Sequence, residues 1–170
     1  MHDNILRNGS RVTVRRLRID DGDRLGDFYE SIPEHDFHFY CPHGLTRRNA
    51  EVRAGMASSS NFICYVMETE DGAIAGYAWY SWENDASRES VFGICIRPDH
   101  QGLGAGRLLM QYVFETAKAL GPDIMSLTVQ LANKRAVALY LDMGFRIIRE
   151  QLRETDGEPE YYMEYLVRQV

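Results

Sequence analysis

Cysteine is scarce in this chain. Cys41, Cys64 and Cys95 are its three, widely spaced and without a C-x-x-C pair. An odd, scattered set does not build a disulfide framework and points to a reducing, cytoplasmic setting. Long apolar runs are missing too, so no stretch reads as a membrane span. The first residues, MHDNILRNGSRV, lack the apolar run behind a basic start that marks a signal peptide. Positive charge is in deficit: the net charge is −6. That argues against nucleic acid as a partner, because phosphate binding needs basic patches. It is compatible with a cationic substrate. No internal repeat or low-complexity tract appears, and 170 residues suffice for one domain with a real core.

What is present reads as alternating strands and helices. Residues 1–10 are polar and predict a loose N-terminal segment. Val12–Arg18 alternates like a strand with one wet face. Leu25, Phe28, Tyr29 and Ile32 recur at helical spacing and stop at Pro33. Thr46 caps a second helix reaching to about Met56. Asn61–Thr69 and Ala73–Trp82 are two strands around the hairpin turn Asp71-Gly72. Glu89–Arg97 is a third. Gly104–Leu120 is the best helix, ended by Gly121-Pro122. Ile124–Leu131 is a buried strand, and Asn133 starts a helix closed by Gly144. Phe145–Arg153 and Tyr161–Arg168 are the last strands. The order predicts a mixed α/β domain. It has a mostly antiparallel central sheet of about seven strands, about four flanking helices, and one strand–helix–strand unit that should be parallel.

The chemistry concentrates in VFGICIRPDHQGLGAGRLLM, Val91–Met110. A strand, a glycine-rich turn and a helix start expose unpartnered N–H groups, a site for an anion such as a pyrophosphate. The turn is Gln101-Gly102-Leu103-Gly104-Ala105-Gly106-Arg107. A P-loop needs Lys and Ser/Thr after its last glycine, whereas Arg107 and Leu108 follow here. A dinucleotide turn needs G-x-G-x-x-G early in a βαβ unit, whereas this one is G-x-G-x-G past mid-chain. Alternate glycines instead suit backbone closely approaching a ligand. Downstream, Asn133 stands at a helix start, able to cap it or to meet a ligand amide. Tyr140 lies seven residues on, about two turns later and on a similar side. Packing in the core is the alternative reading of Tyr140.

Together these motifs resemble the GCN5-related N-acetyltransferase (GNAT) superfamily. The resemblance rests on Gln101-x-x-Gly104-x-Gly106 after Arg97-Pro98-Asp99-His100, and on Asn133, Ala136, Leu139, Tyr140, Gly144 and Phe145 in N-x-x-A-x-x-L-Y…G-F. It covers about residues 10–168 by element order and is sharp from about Val91 to Phe145. It implies a single acetyltransferase domain over residues 1–170, with acetyl-coenzyme A as co-substrate and no metal. The pyrophosphate would meet the backbone of Gln101, Gly102, Leu103, Gly104, Ala105, Gly106 and Arg107. The pantetheine arm would lie along Ile94, Cys95 and Ile96 like an added strand, with Asn133 also in contact. The resemblance further implies a splayed parallel pair in mid-sheet and a bulge near Gly93–Cys95.

A thioester needs a neutral amine to attack it, an N–H donor for the oxyanion and an acid for the leaving thiolate. The resemblance implies Tyr140 as the acid. The oxyanion donor is expected at the backbone of Ile94 or Cys95. Glu89 is a candidate base; its alternatives are a solvated strand-end charge, with ordered water as base. Cys95 could carry an acyl group in a ping-pong scheme, but it sits in an apolar strand and reads as core. His100 reads as a loop residue beside the phosphate site. The segment His35–His43, with His38 and Cys41, reads as a core-covering or substrate-facing loop; its spacing does not match structural zinc. The acceptor is expected among Tyr29, Glu30, that loop, Tyr77, Trp79, Trp82, Tyr161 and Tyr162. It would be the amine of a small molecule or of a protein, attacked directly in a ternary complex. The resemblance admits a homodimer. The competing readings are a non-catalytic acyl-coenzyme A sensor and a transferase of another acyl group.

Overall fold

Strand alternation, helix caps and glycine turns locate twelve main elements. They are β1 (His2–Ile5), β2 (Arg11–Arg16), α1 (Gly22–Glu30), α2 (Arg47–Gly55), β3 (Phe62–Thr69), β4 (Ile74–Ser81), β5 (Glu89–Ile96), α3 (Ala105–Ala119), β6 (Ile124–Gln130), α4 (Lys134–Asp142), β7 (Arg146–Leu152) and β8 (Pro159–Leu166). The computed structural model describes residues 2–39 and 43–168. One sheet runs β1-β2-β3-β4-β5-β6-β8-β7. Every neighbouring pair is antiparallel except β5–β6.

The sheet has eight strands rather than about seven, because the N-terminal segment is not loose. β1 pairs with β2 from His2↔Val14 to Ile5↔Arg11. Its polar side chains conceal this, since the pairing is made by the main chain. Leu6 is buried, and Gly9 at φ 86° turns the chain. The Arg7 N–H then donates to the Leu103 carbonyl at 3.1 Å. The first residues thereby hold the glycine turn.

Two cores flank the sheet. One packs α3 and α4 against it through Leu109, Met110, Val113, Tyr140 and Phe145. The other packs Leu25, Phe28 and Tyr29 of α1 on Phe62, Tyr77 and Trp79. Thr46 caps α2, its hydroxyl accepting from the Asn49 N–H at 3.2 Å. Buried Arg15 joins β2 to the rest, paired with Asp21 at 2.7 Å and Glu68 at 2.6 Å.

The parallel pair positions the site. β5 and β6 are registered only from Glu89↔Ile124 to Val91↔Ser126, and beyond Val91 they part. The expected bulge near Gly93–Cys95 is absent: the β4–β5 ladder runs without a shift from Gly76↔Ile96 to Ser81↔Val91. Gly93 lies at this point instead, paired with Trp79. The Trp79 indole lies so close that a Cβ on residue 93 would stand 2.6 Å from it. The indole thus packs on bare backbone where the strands open.

Candidate active site

One half of the site is built from backbone. The Arg97 N–H donates to the Ala75 carbonyl. Strand alternation therefore directs the N–H and C=O of Cys95 to β4, and those of Ile94 and Ile96 into the gap beside β6. The Ile96 carbonyl is met there by Gln101 Nε2 at 3.0 Å. Gln101 Oε1 in turn accepts from Arg135 at 3.2 Å, so one side chain ties β5, the turn and α4.

The turn presents donors. Gly102 and Gly104 have φ of 76° and 94°, which glycine adopts without strain. Among the described residues, the N–H groups from Gly102 to Arg107 find no backbone carbonyl partner. α3 begins without a side-chain cap and without an acid in its first turn. Such donors at a helix start suit an anion. A chamber of about 190 Å³ joins Gln101, Gly102 and Gly106 to Ile94, Asn133 and Tyr140. Asn133 Oδ1 caps α4, accepting from the Ala136 N–H at 3.1 Å. Its amide can still donate into that chamber. Ala105 and Leu103 pack inward. The Arg107 guanidinium turns away to Asp142, so that residue offers its backbone.

A second cavity, of about 640 Å³, opens on the other side of the gap. Gly93, Gln130, Glu154 and Glu160 are among its lining, and Phe39, Ile94, Thr128, Val129 and Tyr140 are shared with the first chamber. Tyr140 therefore stands at the junction. It is 9 % exposed and edge-on to Phe92 at 6.4 Å. Burial raises its pKa above the ordinary tyrosine value. The hydroxyl stays protonated and can give a proton away.

A family model described as "Acetyltransferase (GNAT) family" matches residues 26–145. The chain belongs to the GNAT family. A solved acetyltransferase of the GNAT family from Streptococcus pneumoniae is 27 % identical with a TM-score of 0.80, covering 92 % of this chain and 99 % of that one. Among curated relatives, the L-amino acid N-acyltransferase MnaT of Escherichia coli K12 is 30 % identical over 83 residues, 47 % of this chain and 48 % of its own length. A structure from Salmonella typhimurium, solved with its cofactor acetyl-CoA, shares the fold at 18 % identity and a TM-score of 0.76, over 94 % of this chain and 95 % of that one. The matches span 33 %, 48 % and 63 % of the length of three curated relatives.

Within this GNAT fold, several expected residues fall elsewhere. Glu89 borders a separate recess with Trp82 and Arg88, outside the lining of the Tyr140 cavity. Its carboxylate accepts from the Tyr162 hydroxyl at 2.6 Å. Glu89 shares a strand face with Val91 and Gly93, which do line that cavity, and is set apart only by its place at the start of β5. The Cys95 side chain packs against the α1 core, where burial, reinforced by Asp36, pushes its thiol up to about 12. A thiol so protonated is a poor acyl carrier. His100 pairs with Asp99 at 2.7 Å in the loop before the turn.

Most of the expected acceptor aromatics serve packing. Tyr29, Tyr77 and Trp79 are buried in the α1 core, and Tyr161 packs against the α3 core. Trp82 stacks on Tyr80. Of the His35–His43 segment, Phe39 reaches both chambers, while His43 bonds to Tyr77 at 2.7 Å. Cys41 and the side chain of His38 lie outside the described residues. The wall of the larger cavity beside Tyr140 comes instead from Thr128, Gln130 and the β7–β8 connection. Polar Ser126, Thr128 and Gln130, alternating along β6 with Met125, Leu127 and Val129, were the available signal.

Proposed function

We propose that this GNAT chain transfers an acetyl group from acetyl-coenzyme A to a primary amine by direct attack in a ternary complex. The observation carrying the reading is Tyr140 at the junction of a backbone-lined donor chamber and a polar cavity. Acetyl-coenzyme A supplies an activated acyl group as a thioester. The residues from Gly102 to Arg107 hold its pyrophosphate through N–H groups, and Ile94 and Ile96 pair with its arm in the manner of an added strand. The N–H of Ile94 faces the gap and serves the developing oxyanion. Tyr140 protonates the leaving thiolate. Neither Cys95 nor Glu89 is assigned a chemical step, and the amine's proton leaves to solvent in the open cavity.

Thiol release from acetyl-coenzyme A in the presence of an amine panel tests the reading. Acceleration by a primary amine, with acetyl-amine formed in equal amount, supports it. Tight coenzyme binding without acceleration by any amine overturns it in favour of a sensor.

A further inference from the structure

The acceptor cavity contains more polar chemistry than one reacting nitrogen uses. Glu160 is 6 % exposed, and its Oε1 accepts from Gln151 Nε2 at 2.8 Å. Across the β6–β8 ladder it stands opposite Gln130, also 6 % exposed. Among the described residues the Gln130 side chain has no hydrogen-bond partner, and it borders the cavity. Buried polar groups need partners, so this pair is set for a ligand that donates hydrogen bonds. Glu154 adds a second carboxylate to the wall. Arg153, the one cation of the lining among the described residues, is committed to Asp156 through two nitrogens, one of them at 2.8 Å. Val91, Leu127 and Leu152 add apolar surface to the lining.

We propose that the acceptor is an aliphatic diamine or polyamine. One nitrogen reacts beside Tyr140, and a second, still protonated, rests on Glu160 between Gln130 and Gln151. The methylenes between them lie on that apolar surface. This rests on the acetyltransferase reading and narrows it. A free α-amino acid would bring a carboxylate toward Glu160 and Glu154, with the local cation already engaged. Like charges in a partly dry cavity repel.

Initial rates of thiol release with cadaverine, pentylamine and norleucine test this in the unaltered protein. The diamine should exceed the monoamine in kcat/KM by roughly 10- to 100-fold, the range of a hydrogen bond to a charged group, and norleucine should be slowest. Glu160→Gln keeps an oxygen for Gln151 and removes the charge. It should raise KM for cadaverine until the diamine preference is lost. The loss in kcat/KM with pentylamine should be far smaller than that with cadaverine, and coenzyme affinity should be retained. A purely structural role for Glu160 would instead change all substrates alike. Equal rates for the diamine and monoamine, or a preference for norleucine, overturns this inference alone. Release by no amine at all removes the acetyltransferase reading and this inference with it.

Discussion

The proposed donor and acceptor halves of this site are made of different material. Ile94, Ile96 and the turn from Gln101 to Arg107 offer main-chain groups fixed by one strand, one turn and one helix start. The acceptor cavity offers side chains: Thr128 and Gln130 from β6, Gln151 from β7, Glu160 from β8 and Phe39 from the loop before α2. A backbone site constrains residue type at consecutive positions, because only glycine adopts φ of 76° and 94° freely. A side-chain site drawn from distant strands imposes no such local pattern. The first half therefore leaves a pattern in the sequence, and the second leaves none.

That contrast can be attacked at graded strengths. Tyr140 joins the halves, so Tyr140→Phe should lower turnover by about 10²–10⁴-fold with coenzyme affinity unchanged. Steady-state rates and calorimetric titration separate the two. Gly102→Val should spare turnover at saturation and weaken coenzyme binding. The left-handed backbone costs an L-residue ~1–2 kcal/mol, about tenfold in affinity, and the new side chain meets Arg135 Nη2, which stands 2.8 Å from the Cβ position. A smaller effect concerns pH. Because burial raises the Tyr140 pKa, its proton is kept beyond the usual loss near pH ~10. Turnover should show no alkaline fall from this group below that pH, and a fall that Tyr140→Phe abolishes would contradict the placement. Smallest of all, Glu89→Gln and Cys95→Ala should leave turnover near that of the unaltered protein. A large loss in the first would restore a base on β5. A large loss in the second, with a trapped acyl-enzyme, would restore ping-pong chemistry.

The same division explains what the residues reveal when read in order. Asp71-Gly72, Thr46 and Gly144 mark their turns and caps through local chemistry, and each stands where expected. The glycine turn at Gly102 and Gly104 was legible for the same reason. β1 was not, since His2, Asp3 and Asn4 hold their place by main-chain bonds to β2 rather than by apolar alternation. Tyr29, Tyr77 and Trp79 looked like acceptor residues because aromatics suit both cores and clefts, and only tertiary packing buries them. Glu160 gave no warning: its partners Gln130 and Gln151 come from two other strands. The opening between β5 and β6 was expected from a bulge, yet Gly93 under Trp79 accompanies it with the β4–β5 ladder intact.

Amide hydrogen exchange with and without coenzyme A tests most directly whether the gap and the turn form one donor site. Binding should slow exchange at Ile94, at Ile96 and from Gly102 to Arg107, and leave Cys95, already bonded to β4, and Glu89 unaffected. Coenzyme binding that protects none of the amides between Ile94 and Arg107 would contradict the account.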